Sequence, residues 1–262
     1  MSEPGFAILP PDGASRPIVV HVPHAGTRIP PDVRRGIVLD DAAMAEELRR
    51  MTDHRTDVLA AGTAAVGATR FVNLLSRLVV DPERFLDPDR EEMEAVGMGA
   101  VYSATSGLDV LRLPDPAERG RLLDTWFRPY HAAITDVVGR HLDTSGRCAV
   151  VDVHSYPSAA LPYERHAAAA RPPLCVGTHP VHTPPAVRVL VADLADEAGL
   201  EVAFDAPFAG TFVPTAHLGD PRVISVMLEI RRDTYLDETT ATPHDGESRI
   251  AAFVTAVADA LD

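Results

Sequence analysis

Cys148-Ala149-Val150-Val151-Asp152-Val153-His154-Ser155 is the stretch on which the fold turns. From Cys148 to Val153 it is nearly all apolar and rich in β-branched valine, the composition of a strand covered on both faces. Five more apolar runs read as strands: Ile18 to Val22, Ala68 to Leu75, Leu174 to Val176, Glu201 to Phe204 and Val223 to Ile230. Segments of helical period separate them, from Asp41 to Ala65, Pro116 to Leu142, Pro184 to Ala198 and Glu247 to Leu261. Strands alternating with helices predict an α/β fold, a mostly parallel mixed sheet with helices on both faces. Nothing divides the chain, so residues 1–262 are read as one domain.

Composition narrows the function. The 262 residues carry 24 basic against 38 acidic side chains, a net charge of −14, without a cluster of cations. A surface that negative repels a phosphate backbone, so no nucleic-acid partner is expected. All the basic residues are arginine, which rules out Schiff-base chemistry, a pyridoxal anchor and a P-loop lysine. Cys148 and Cys175 lie in apolar runs and read as core thiols. No signal-like segment or long apolar run is present, so a cytoplasmic protein with no membrane partner is expected.

Two segments break the pattern. Phe85 to Pro116 is long, irregular and rich in Gly, Pro and acids, a candidate lid. Ser155 to Pro173 is a second excursion, containing four prolines. Pro129 lacks a backbone donor and is expected to kink or break the helix around it.

Open α/β sheets bind ligands at the carboxyl ends of their strands. Among eleven histidines, His24 follows one strand and His154 another, while Glu229 sits near the end of a third, in Val226-Met227-Leu228-Glu229-Ile230. A carboxylate in so apolar a strand needs a cation, a metal or a proton to offset its desolvation. Two imidazoles and an acid at strand ends point to a catalytic metal of the zinc type, with three protein ligands and a position for water. His21 lies on the opposite face from His24 in a regular strand and reads as structural. Arg77 and Arg84 flank Leu78-Val79-Val80-Asp81, and Arg128 precedes Pro129-Tyr130-His131. Guanidinium groups near a metal hold a substrate carboxylate by paired hydrogen bonds.

The constellation resembles the N-formylglutamate amidohydrolase family, which has a zinc-carboxypeptidase-like fold. The matching pieces are Pro23-His24-Ala25-Gly26, Asp53 with Asp57, Ser76-Arg77 through Asp81 to Arg84, Gly97-Met98-Gly99 and Arg128-Pro129-Tyr130-His131. Further along come Asp152-Val153-His154-Ser155, Pro207-Phe208-Ala209-Gly210, Leu228-Glu229-Ile230-Arg231-Arg232 and Tyr235-Leu236-Asp237-Glu238. They span nearly the whole chain in order. The resemblance implies one Zn²⁺ or similar divalent ion on His24, His154 and Asp53, with His54 the alternative to Asp53. It implies Glu229 as general base, Arg77 stabilising the oxyanion, Arg84 and Arg128 holding the substrate carboxylate, and His131 and His217 at the pocket wall.

The chain departs from the pattern twice. Thr27 stands where a carboxypeptidase has a glutamate three residues after its first histidine, and Glu83 replaces the asparagine of the family's Asp-Leu-Asn-Arg. The implied activity is removal of a formyl or other small acyl group from an N-acyl amino acid such as N-formyl-L-glutamate, its small-molecule partner. Competing readings are a carboxypeptidase-like hydrolase of another N-acyl amino acid or short peptide, and a non-catalytic binder of small acids. A serine hydrolase is disfavoured, since no Gly-x-Ser-x-Gly elbow is present.

Overall fold

In a computed structural model, which describes residues 4–87 and 89–261, seven strands form one sheet. They are β1 (Phe6–Leu9), β2 (Ile18–Val22), β3 (Thr69–Asn73), β4 (Cys148–Tyr156), β5 (Leu174–Gly177), β6 (Val202–Phe204) and β7 (Val223–Arg231). Their order across the sheet is β1-β3-β2-β4-β7-β5-β6. β3, β2, β4 and β7 run parallel at the centre, β5 and β6 are parallel to each other, and β1 and β5 meet their inner neighbours antiparallel. The expected mixed sheet is therefore present, and six of its strands coincide with the six apolar runs. β1 was not anticipated: it is short and its pattern is half exposed, as suits an edge.

The helices are α1 (Pro31–Arg34), α2 (Asp41–Met51), α3 (Thr56–Leu59), α4 (Pro116–Leu122), α5 (Arg128–Ser145), α6 (Pro185–Glu197) and α7 (Gly246–Ala260). Side chains alternate across each strand, so the two faces bury separate sets. One face packs Val20, Val22, Val151, Val153, Val226 and Leu228 against α6 and α7. The other packs Val19, Phe71, Val150 and Val223 against Tyr130, Ile134 and Val138 of α5. By the same alternation His21, Asp152, His154 and Glu229 fall on the α5 side.

One helical expectation needs correction, and one is met. The stretch from Asp41 to Ala65 is not one helix: α2 stops at Met51, and the Asp53 N–H donates to the His24 carbonyl at 3.0 Å instead of continuing the helical ladder. Arg55 then turns at φ 64° before α3 begins. The stretch from Pro116 to Leu142 is interrupted as a regular α-helix just ahead of Pro129. A wide π turn over Leu123–Phe127 absorbs the missing donor, and α5 continues to Ser145.

Gly26 fixes the exit from β2. A Cβ there would lie 2.6 Å from both the Leu74 carbonyl carbon and the Leu75 carbonyl oxygen. The loop carrying His24 thus lies against the backbone leaving β3, closer than any side chain permits. Gly26→Ala is expected to lower stability by about 1–3 kcal/mol, as overpacking does, measured as a lower urea midpoint.

Candidate active site

His24, at the mouth of β2, His154, within β4, and Asp53, after α2, converge although they are far apart in sequence. His154 Nδ1 lies 3.1 Å from Asp53 Oδ2 and 3.3 Å from His24 Nδ1, and His24 Nδ1 lies 3.6 Å from Asp53 Oδ2. All three side chains are buried. The sequence left Asp53 and His54 as alternatives. His54 bonds the Arg49 carbonyl through Nε2 at 2.9 Å and is not in the group, so Asp53 is the acid that joins the imidazoles. Thr27 is exposed and takes no part.

A second layer orients these groups. His24 Nε2 donates to Asp81 Oδ1 at 2.9 Å, while His154 Nε2 faces Asp152 Oδ1 at 3.1 Å and the Glu83 carboxylate at 3.2 Å. In the neutral form with the proton on Nε2, each imidazole would offer an Nδ1 lone pair beside Asp53 Oδ2. Carboxylates holding the far nitrogen are the usual way metal-binding imidazoles are fixed in tautomer and direction. Asp53 Oδ1 is held at 3.3 Å by Arg232, whose guanidinium also bonds the Arg50 and Ser155 carbonyls. His21 stands behind this layer, bonded to Asp152 through Nδ1 at 2.8 Å and to the Tyr130 hydroxyl through Nε2 at 2.5 Å. It supports Asp152 and does not join the group of His24, Asp53 and His154.

The charge states follow. Burial alone would raise the Asp53 carboxyl, but hydrogen bonds from His154 and His24 hold it well below the carboxylate range. Burial and then Arg77 oppose a proton on His24, yet Asp81 and Asp53 outweigh them and its pKa rises. His154 is likewise raised, burial being overcome by Glu83, Asp152 and Asp53. The cluster therefore draws positive charge into itself, and its nitrogen and oxygen donors suit a divalent ion of the zinc type.

Glu229 pairs in register with His154 across β4 and β7 and lines the same cavity. Its Oε2 is buried without a hydrogen-bond partner among the described residues, and burial, against the attraction of His154, pushes its pKa up to about 7. A carboxyl group so placed can take and return a proton near neutral pH.

The cavity measures about 1180 Å³. Both irregular segments contribute to its wall, through Phe85, Leu86 and Met93 from one and Leu161 and Tyr163 from the other. Arg77 lines it while Nη2 donates to Asp81 Oδ2 at 2.7 Å and Nε donates to the Tyr102 hydroxyl at 3.0 Å. Arg84 also lines it; its Nε has no hydrogen-bond partner among the described residues and lies 3.5 Å from Asp81 Oδ2. Arg128 reaches the rim with its side chain 62% exposed and paired to Asp124. His131 lines the wall, bonds the Pro82 carbonyl at 2.7 Å and is kept neutral, burial pushing its pKa down to about 4. His217 departs from expectation. Its neighbours Ala216 and Leu218 line the cavity, whereas its own Nε2 turns to the Thr135 carbonyl on α5 at 3.2 Å.

Asp81, Asp152, Tyr102 and Arg232 were given no role on sequence grounds. Asp152 carried a readable signal, since it shares a strand face with His154. Asp81, an acid closing the apolar Leu78-Val79-Val80, carried another. Arg232 and Tyr102 reach the site only through tertiary packing.

The family model for N-formylglutamate amidohydrolase matches residues 16–236. The chain belongs to the N-formylglutamate amidohydrolase family. An N-formylglutamate deformylase of Pseudomonas aeruginosa is 30% identical over 234 residues, covering 85% of this chain and 83% of the relative. Its counterpart in Pseudomonas putida is 27% identical over 233 residues, with the same coverage of 85% and 83%. The crystal structure of an N-formylglutamate amidohydrolase from Ralstonia eutropha JMP134 superposes with a TM-score of 0.83 at 27% identity, covering 98% of this chain and 96% of that one. In this family member the convergent group of His24, Asp53 and His154 thus lies on a sheet shared with a solved amidohydrolase.

Asp81 binds the site to the fold. It is fully buried and accepts from His24, Arg77, Tyr102 and the Glu83 N–H. Asp81→Asn would leave the Arg77 cation buried without its counter-ion, so a loss of about 3 kcal/mol is expected, read from urea unfolding followed by circular dichroism.

Proposed function

We propose that this chain is a metal-dependent deformylase of N-formyl amino acids, with N-formyl-L-glutamate as the reference substrate. The observation that carries the reading is Glu229, a buried carboxyl with an unbonded oxygen and a pKa near neutrality, beside three convergent donors in a family member. His24, Asp53 and His154 would hold one divalent ion, Zn²⁺ being the natural match to two imidazoles and a carboxylate. Bound there, it would supply Lewis acidity, polarising an acyl carbonyl and acidifying water.

The protein groups do the rest. Glu229 takes the proton of the attacking water and returns it to the amide nitrogen as the C–N bond breaks, giving formate and the free amino acid. Arg77, held still by Asp81 and Tyr102, presents positive charge to the acyl oxygen as that oxygen gains negative charge. Arg84, whose Nε has no hydrogen-bond partner among the described residues, would take the substrate carboxylate, placing the formyl group over the cluster. Arg128, at the rim, would meet the substrate on entry.

Glu83 supports a variation on this reading. Its carboxylate lies 3.2 Å from His154 and is 16% exposed. An acid at the cavity wall disfavours a second substrate carboxylate nearby, so N-acyl amino acids with fewer negative charges are competing substrates.

Formate release measured on N-formyl-L-glutamate and a panel of other N-acyl amino acids, together with elemental analysis, tests the proposal. About one zinc per chain and formate from at least one N-formyl substrate are expected. A metal-free protein inert to the whole panel would leave the small-acid binder as the better description. Glu229→Gln should retain the metal while kcat falls by about 10²- to 10⁴-fold, the usual contribution of a general base. Arg84→Ala should raise KM for carboxylate substrates by about tenfold or more, corresponding to a lost charge-assisted hydrogen bond.

A further inference from the structure

The pairing of β2 with β4 sets His21 opposite Asp152, and Glu83 reaches the same place from the loop after β3. Together they make a second gathering of donors: one nitrogen or oxygen from each lies within 4.8 Å of the others. His21 Nδ1 is 2.8 Å from Asp152 Oδ1 and 3.6 Å from Glu83 Oε1. Ligand atoms around a tetrahedral zinc ion, each about 2.0–2.1 Å from the metal, lie about 3.3 Å apart. The observed separations bracket that value. The Tyr130 hydroxyl bonds His21 Nε2 at 2.5 Å and so fixes the ring with Nδ1 toward the two carboxylates.

Charge sets this group apart. Asp53 is paired with Arg232 and Asp81 with Arg77. Among the described residues, Asp152 pairs only with His21 and His154, and Glu83 only with His21, His24 and His154. Two carboxylates, Asp152 buried and Glu83 with 16% of its side chain exposed, thus share imidazoles and no permanent cation. Taking carboxylates out of water without a counter-charge is costly, and a divalent ion between them would supply it. Such an ion has a way in, because Glu83 and Asp152 both line the cavity.

We propose that His21 Nδ1, Asp152 Oδ1 and the Glu83 carboxylate form a second site for a divalent cation of the zinc type, next to the first. His154 stands between the two groups: its Nδ1 lies 3.1 Å from Asp53, and its Nε2 lies 3.1 Å from Asp152 and 3.2 Å from Glu83. An ion in the second site takes the place of the proton that otherwise joins His21 to Asp152, the exchange expected when an imidazole becomes a ligand. The assignment concerns binding alone and holds whichever acyl group the chain removes.

Equilibrium dialysis of the full-length chain against increasing Zn²⁺, with bound metal counted by elemental analysis, tests the assignment. The wild type is expected to pass the single ion of the first site and level off at about two per chain. Glu83→Gln keeps the length of the side chain and removes its charge, and should level off at about one; His21→Gln should do the same. If the buried His21 variant fails to fold by circular dichroism, Glu83→Gln, altered at a partly exposed side chain, still decides. Wild-type protein levelling off at one ion would overturn the second site and leave protons holding the group together. Two ions on Glu83→Gln would overturn it by placing the second ion elsewhere, and none would overturn it by making Glu83 a ligand of the first. Wild-type protein that takes up no zinc at all would sink the metal-dependent reading, and the second site with it.

Discussion

Two imidazole nitrogens and a carboxylate oxygen cannot face one another at 3.1 to 3.6 Å inside a protein unless positive charge sits among them. That demand organises the surrounding side chains. It explains why the far nitrogens of both rings are tied to carboxylates, why Asp53 has Arg232 on its outer oxygen, and why His24 and His154 hold protons tightly. Metal or proton, the occupant is set by the convergence itself.

The acids of the site divide by what they touch. Asp53, Asp81 and Asp152 each have a cation or several donors and remain ionised. Glu229 has neither on its inner oxygen, and its affinity for a proton moves toward neutrality. Environment, not residue type, separates the acids that stay ionised from the one that binds a proton near neutrality.

Much of this could be read along the chain. The valine-rich run ending in His154 and the isolated Glu229 in β7 placed two site residues on adjacent central strands, because local pattern determined both strand and face. The Asp53 position was harder. Helical period continues past it, and only a tertiary hydrogen bond to the His24 carbonyl ends α2 where it does. Arg232, Tyr102 and Tyr163 come from segments whose paths depend on what they pack against, so their approach to the cavity has no local signature. His217 shows the converse: a residue whose motif position suggested the pocket turns instead to a carbonyl on α5.

The reliance on arginine for every basic position has an effect at high pH. The cations at Asp53 and Asp81 are guanidinium groups, which do not lose their protons in proteins. An ammonium in their place would discharge in alkali and leave buried carboxylates facing one another. Here the arginine partners of Asp53 and Asp81 keep their charge as the medium becomes basic, and it is the imidazoles of His24 and His154 and the Glu229 carboxyl that give up protons.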